Sequence, residues 1–167
     1  MSSIDQLRAQ LPALLPRLRR FARAIARHAA DADDVLQIAL ERALTRADQW
    51  NTTLRLESWM FGIVRNAWID EVRSRSRRNT VFVAEAHGES VGYDAMECET
   101  TMMSVQAAMS QLPEEQRTAV ALVLVEGLSY KEAAAVMEIP IGTLTSRLAR
   151  GREALQSMLG GTSEDGV

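Results

Sequence analysis

Arg147 and Arg150 lie in the stretch "YKEAAAVMEIPIGTLTSRLARGREAL", residues 130–155. Leu144, Leu148 and Leu155 share one helical face there, while Thr145, Ser146, Ala149, Arg150 and Glu153 fall on the other side. Small hydroxyl residues let a backbone approach a duplex closely, and guanidinium groups reach base edges or phosphates. Upstream, "SYKE" pairs Ser129 with Glu132 as a capping box that opens a short helix, and Pro140 and Gly142 mark a turn. A capped helix, a tight turn and a helix with an exposed Ser/Thr/Arg face form the pattern of a helix-turn-helix, whose second helix enters a major groove. An ordinary helical hairpin with a solvated arginine face would look the same, so a second site has to decide.

That second site is "SWMFGIVRNAWIDEVRSRSRR". Gly62, Asn66, Asp70, Arg73 and Arg77 recur at helical spacing and form one polar strip, with Arg73, Arg75, Arg77 and Arg78 crowded at its end. Asparagine in mid-helix costs helix propensity, but its amide can read a base edge that an apolar side chain cannot. Trp50, in the loop before this helix, is an aromatic ring that could stack on an unpaired base or equally plug the core between helices. Trp59, Phe61 and Trp68 fit core positions better.

These side chains must be carried by helices. Ala, Leu, Arg, Glu and Gln are abundant, and aromatic residues make up only 5% of the chain. "LPALLPRLRRFARAIARHA" places Leu14, Leu18, Phe21, Ala22 and Ile25 on one face, with Pro12 and Pro16 suited to a helix start rather than an interior. "DADDVLQIALERAL" gives a second helix headed by Asp31, Asp33 and Asp34. "TRADQWNTTLRLES" reads as a loop, and one long helix follows. From Asn79 the character changes, with five acids and no Lys or Arg before Thr101, as expected of a linker. "MMSVQAAMSQL" and "PEEQRTAVALVLVEG" resume the helices, the latter starting at Pro113 and ending before Gly127. The expected architecture is all-α: a helical domain over 1–78, an acidic linker over 79–100, a helix-turn-helix domain over 101–160 and a disordered tail over 161–167.

The net charge of −3 hides an asymmetry. Residues 1–78 hold 14 Arg against 9 acids, whereas residues 79–127 hold one Arg against 8 acids. Local charge, not the whole-chain value, therefore bears on nucleic acid. Cys98 stands alone, which excludes an internal disulfide and fits a reducing cytoplasm. No stretch approaches the ~20 apolar residues of a membrane span, and "MSSIDQLRAQ" lacks the features of a signal peptide. No cofactor, metal or small-molecule substrate is expected. His28, His87 and Cys98 have no metal-ligand spacing, and the sole lysine, Lys131, follows no glycine-rich loop. His28 reads as a cation at a helix C-terminus. Catalysis is not expected.

Together, "DADDVLQIALERAL", "SWMFGIVRNAWIDEVRSRSRR" and "LPEEQRTAVALVLVEGLSYKEAAAVMEIPIGTLTSRLARGREAL" resemble the extracytoplasmic-function (ECF) group of the sigma-70 family, the small sigma factors of bacterial RNA polymerase. The resemblance spans about three quarters of the chain, in the family's order. It implies a region 2-like domain over 1–78 and a region 4-like domain over 101–160. It implies that Asp34, Leu36, Gln37, Leu40 and Glu41 dock on core polymerase, that Trp50, Asn66, Asp70, Arg73 and Arg77 engage the −10 element, and that Thr143, Thr145, Ser146, Arg147, Ala149 and Arg150 read the −35 element. It implies promoter DNA, core RNA polymerase and an inhibitory anti-sigma factor as partners. The chain departs from the family at Thr145, where a basic residue is common, at Gly62, where a bulkier one is usual, and at Trp50, where Phe is more frequent. These departures bear on the promoter sequence, not on the class. A stand-alone helix-turn-helix regulator would explain the C-terminal residues but leave the Asn66 strip, Trp50 and the acidic linker without a purpose.

Overall fold

The computed structural model describes residues 2–81 and 101–160, so the linker segment 82–100, with His87 and Cys98, and the tail 161–167 lie outside the described residues. Among the described residues every regular element is helical. Three long helices come first: α1 (Ser3–Ile25), α2 (Ala29–Thr45) and α3 (Leu56–Val81), with a 3-10 turn at Ala47–Gln49. Four more follow: α4 (Thr101–Gln111), α5 (Glu114–Val120), α6 (Tyr130–Met137) and α7 (Ile141–Leu159). No helix among the described residues is long and apolar enough to cross a membrane.

α1 opens on a capping box between Ser2 and Asp5 and buries Leu7, Leu14, Leu18, Phe21, Ala22 and Ile25 along one stripe. Its prolines correct the expected boundary. Pro12 and Pro16 lie inside the helix, both exposed and four residues apart on the solvent face. Water can serve the carbonyls they leave unbonded, and the buried stripe offsets a cost of ~3 kcal/mol for each. α2 buries Ala32, Val35, Leu36, Ala39 and Ala43. His28, three residues past the end of α1, is the N-cap residue of α2.

α5 does not end as an ordinary helix. Ala121–Val125 widen into a π turn, in which Glu126 N–H donates to Ala121 O five residues back and Leu128 N–H to Leu122 O. Gly127 then reverses the chain at φ 73°, a conformation that favours glycine. Ser129 caps α6 by accepting from Glu132 N–H. The reciprocal half of the expected capping box is altered: the Glu132 carboxylate accepts from the Ser129 hydroxyl and from Arg55 and Ser58 of the N-terminal half. The turn between α6 and α7 runs through Glu138 in the left-handed region (φ 57°) to Pro140, the N-cap of α7.

The two halves touch. α3 packs on α6, α1 on α4, α5 and the π turn, and the buried core runs through both.

Candidate nucleic-acid and protein interfaces

α7 turns its small polar residues outward as its apolar spacing requires. Leu144, Leu148 and Gly151 are buried against α5 and α6, and Thr145, Ser146, Ala149 and Arg150 are exposed. Gly151 is there because a Cβ would sit 2.7 Å from a Val120 methyl and 3.4 Å from Gln116 O, so α5 and α7 can cross closely only at glycine. Thr143, Ser146, Arg147 and Arg150 line one open groove with Pro113, Glu115, Gln116, Pro140 and Gly142. Arg147 is not wholly available, since it pairs with Glu115 at 3.2 Å. Thr145 donates its hydroxyl proton to Ile141 O at 2.9 Å, leaving an oxygen that can still accept.

On α3, Asn66, Asp70, Arg73 and Arg77 are exposed along one side as expected. Asp70 accepts from Arg42 of α2 at 2.8 Å, so the strip includes one ion pair. Arg75 turns the other way and donates two hydrogen bonds to Asp31 and one to Glu71. The Arg75 hydrogen bonds hold the Asp31 carboxyl below its ordinary value.

Trp50 is a correction. Its ring is only 5% exposed, stacked on Trp59 at 6.3 Å, with Nε1–H donating to Leu54 O at 3.3 Å. The 3-10 turn directs it inward beneath the loop, so here it offers no face to a base. The exposed apolar group of that loop is Leu54, 61% exposed, which the sequence reading passed over. Asn51 shapes the tip by accepting from Thr53 N–H and Oγ1–H. Four polar residues around a leucine are a weak signal, because a loop has no periodicity to say which side chain faces out.

On α2, Asp34, Gln37 and Glu41 are exposed and line a shallow groove with Val35, Ile38 and Glu71. Leu40 is partly buried. Leu36 is a second correction, 5% exposed and part of the core stripe, so it is not a docking side chain in this conformation. Ile38, three residues from both Val35 and Glu41, is the apolar member of the groove that the sequence reading missed.

Two charged residues unmarked by the sequence lie at the junction of the halves. Arg117 is 2% exposed; it donates from Nε to Ile25 O at 2.9 Å and from Nη1 to Leu112 O at 3.0 Å. Burial pushes its pKa down. Glu126, its carboxylate fully buried, accepts from both Arg17 and Arg20 of α1.

Residues 12–78 match the family pattern described as sigma-70 region 2, and residues 102–155 match that of sigma-70, region 4. The chain is 34% identical over 163 residues to the ECF RNA polymerase sigma factor EcfG of Rhodopseudomonas palustris, spanning 95% of this chain and 88% of that protein. It is 34% identical over 143 residues to the ECF RNA polymerase sigma factor SigM of Mycobacterium tuberculosis, spanning 86% and 71%. Among solved structures, the sigma factor RpoE of Bartonella quintana, crystallised with the anti-sigma factor NepR, matches with a TM-score of 0.82 at 29% identity over 94% of this chain and 98% of that one. CnrH, solved with the cytosolic domain of CnrY, shares the fold at a TM-score of 0.64 and 22% identity over 95% and 88%.

Proposed function

The chain belongs to the ECF group of the sigma-70 family, and on that premise we propose which of its surfaces carry the work of a sigma factor. A sigma factor directs core RNA polymerase to promoters and starts transcription there. We assign the two matched segments to two domains, 1–78 and 101–160. The exposed face of α7, through Thr143, Thr145, Ser146, Ala149 and Arg150, reads the −35 element as duplex, with Arg147 contributing when Glu115 releases it. Asn66, Arg73 and Arg77, together with the loop tip at Leu54, engage the −10 element. Asp70 orients that strip through Arg42, and Trp50 serves as the buttress under the loop. The groove of Asp34, Gln37, Ile38 and Glu41, with Leu40 at its edge, docks on core polymerase. An anti-sigma factor holds the protein idle; the support is that a structural relative of high similarity was solved with one. We place the protein in the cytoplasm, where polymerase works, and assign it no catalytic step of its own; its relatives are named as sigma factors rather than enzymes.

The observation that carries the reading is the pairing in one chain of an exposed Thr/Ser/Arg helix face with a separate Asn/Arg strip beside an exposed loop. The test is transcription in vitro on a library of genomic fragments. Core polymerase with this protein should yield discrete start sites sharing two sequence elements, and core polymerase or the protein alone should not. Tight, specific duplex binding by the protein alone, with no effect of core enzyme, would replace this reading with that of a stand-alone regulator.

A further inference from the structure

The junction between the halves adds a cluster of buried charge to the continuous apolar core. The buried Glu126 carboxylate accepts from Arg20 Nε and Nη2, both at 2.8 Å, and from Arg17 Nε at 3.3 Å, and the Glu126 carbonyl accepts from Arg17 Nη2 at 2.9 Å. Arg17 is itself fixed, paired with Glu57 at 3.2 Å and seated 5.4 Å over the Phe61 ring. Glu126 reaches this place because the π turn carries the end of the α5 segment outward; such widened turns are rare and recur at functional sites. Beside it, Arg117 is buried with backbone carbonyls of α1 and of the α4–α5 turn as its partners. At the far side, Glu132 of α6 accepts from Arg55, just before α3, and from Ser58 in its first turn.

An ion cluster is a poor permanent fastener. Its attraction is largely offset by desolvation, and water takes over its hydrogen bonds when the surfaces part. Contacts between domains of one chain are, by default, ones that open. Closure also has a functional consequence. The −35 and −10 elements lie more than two turns of duplex apart, roughly 70 Å, taking one turn as about 35 Å. α3, the longest helix here at 26 residues, spans only about 39 Å. In the closed form α6 lies against α3, with Glu132 of α6 bonded to Arg55 and Ser58 at the head of α3. The two reading surfaces are then neighbours and cannot meet both elements at once.

We propose that the Arg17/Arg20–Glu126 cluster is an intramolecular latch that keeps the free protein closed and unable to engage a promoter, and that the chain must unlatch when it joins core polymerase. This rests on the sigma-factor reading, but its test does not. Spin labels are placed at Ala9→Cys and Gln156→Cys, both exposed, in a Cys98→Ser background, and the distance distribution of the free chain is measured. The wild-type pair should give one short, narrow distance that broadens and lengthens with salt. Glu126→Gln should give the long, broad distribution without added salt. Arg17→Gln with Arg20→Gln should do the same from the other side of the junction, and so decides the matter if Glu126→Gln fails to fold, as circular dichroism would show. A −35 duplex alone should bind the opened variants and the wild type alike, since the α7 face is already exposed in the closed form. At saturating core polymerase they should transcribe like wild type. A long distance in the wild type, or a short one in both sets of variants, overturns the latch. Failure of wild-type protein to direct transcription would instead overturn the sigma-factor reading and leave the distance result standing.

Discussion

In the N-terminal half, helices of 17 to 26 residues pack around aromatic rings: Phe21 lies edge-on against Phe61 at 5.1 Å, and Trp50 and Trp68 are buried too. In the C-terminal half, helices of 7 to 19 residues bury aliphatic side chains such as Leu112, Leu122, Leu144 and Leu148, and α5 and α7 cross closely at Gly151. A buried ring is vulnerable to removal, because its deletion leaves a cavity. A crossing at glycine is vulnerable to addition, because the helices are already close there. The difference extends to the reading surfaces. The surface proposed for the −10 element is a loop propped by a buried tryptophan, and the one proposed for the −35 element is the exposed face of a helix.

Leu36→Glu should have the largest effect. It puts a carboxylate into the α2 stripe, where the side chain is 5% exposed, and should cost ~4 kcal/mol or more, unfolding the N-terminal half in urea melts. Leu40→Glu, at a partly buried position, should leave the fold and weaken binding to core polymerase. If Leu36→Glu folds normally, the N-terminal core is not the tightly filled one described here. Next in size is Trp50→Ala, at ~3–5 kcal/mol of stability. Leu54→Ala should cost almost none, yet slow promoter opening as read by permanganate reactivity of unpaired thymines. A Trp50→Ala variant of unchanged stability that still failed to open promoters would return the stacking role to Trp50.

Much of this was legible in the sequence, because apolar spacing reports burial directly. Leu14, Leu18, Phe21, Ala22 and Ile25 of α1, and Leu144 and Leu148 of α7, are buried as their periodicity requires. The reading went astray where one residue had to be judged alone. Pro12 and Pro16 looked like a boundary because the rule against interior proline assumes no help from solvent. Trp50 stood in a loop, where no period distinguishes a buried ring from an exposed one. The resemblance implies a docking role for Leu36, although the spacing of Ala32, Val35, Leu36 and Ala39 places it inward. Arg117 and Glu126 carry no mark in the sequence because each has a partner in α1, about a hundred positions away. The π turn that carries Glu126 to that place has no signature in the local sequence.

The C-terminal half sharpens the comparison through two smaller effects. Arg150→Ala should weaken −35 recognition by ~1–3 kcal/mol if the side chain reads a base, measured with polymerase present on promoters altered at single positions. A loss spread evenly over all sequences would make Arg150 a phosphate contact instead. Gly151→Ala sets two terms against each other. Alanine gains ~1 kcal/mol of helix propensity over glycine, while overpacking costs ~1–3 kcal/mol. Val120 is short and β-branched, so its methyl cannot swing clear of the new Cβ, and the net should be about 1 kcal/mol of destabilisation. A stabilised Gly151→Ala variant would mean that α5 and α7 can move apart, and the contrast between the two cores would narrow.

The smallest effect concerns a charge contact within the N-terminal half, and pH isolates it. Asp31 at the head of α2 is held by two hydrogen bonds from Arg75 of α3, at 2.6 and 2.9 Å, which lower its pKa below the ordinary 3.8. A carboxyl whose folded pKa is depressed contributes stability that is fully present above its unfolded value and is lost as pH falls through the folded one. The Arg75 pKa is raised, but that group stays charged throughout this range, so the acid limb belongs to Asp31. Arg75 is 40% exposed, and solvent screening limits the pair to less than about 1 kcal/mol. Urea melts at about pH 6 and about pH 3 should therefore show Asp31→Asn less stable than wild type at the higher pH, by a gap that narrows at the lower. The latch should be insensitive to this substitution, because Arg17, Arg20 and Glu126 share no partner with Asp31. If Asp31→Asn lengthened the label distance as well, the α2–α3 pair and the junction would form one electrostatic unit, and the two halves would be less separable than their packing indicates.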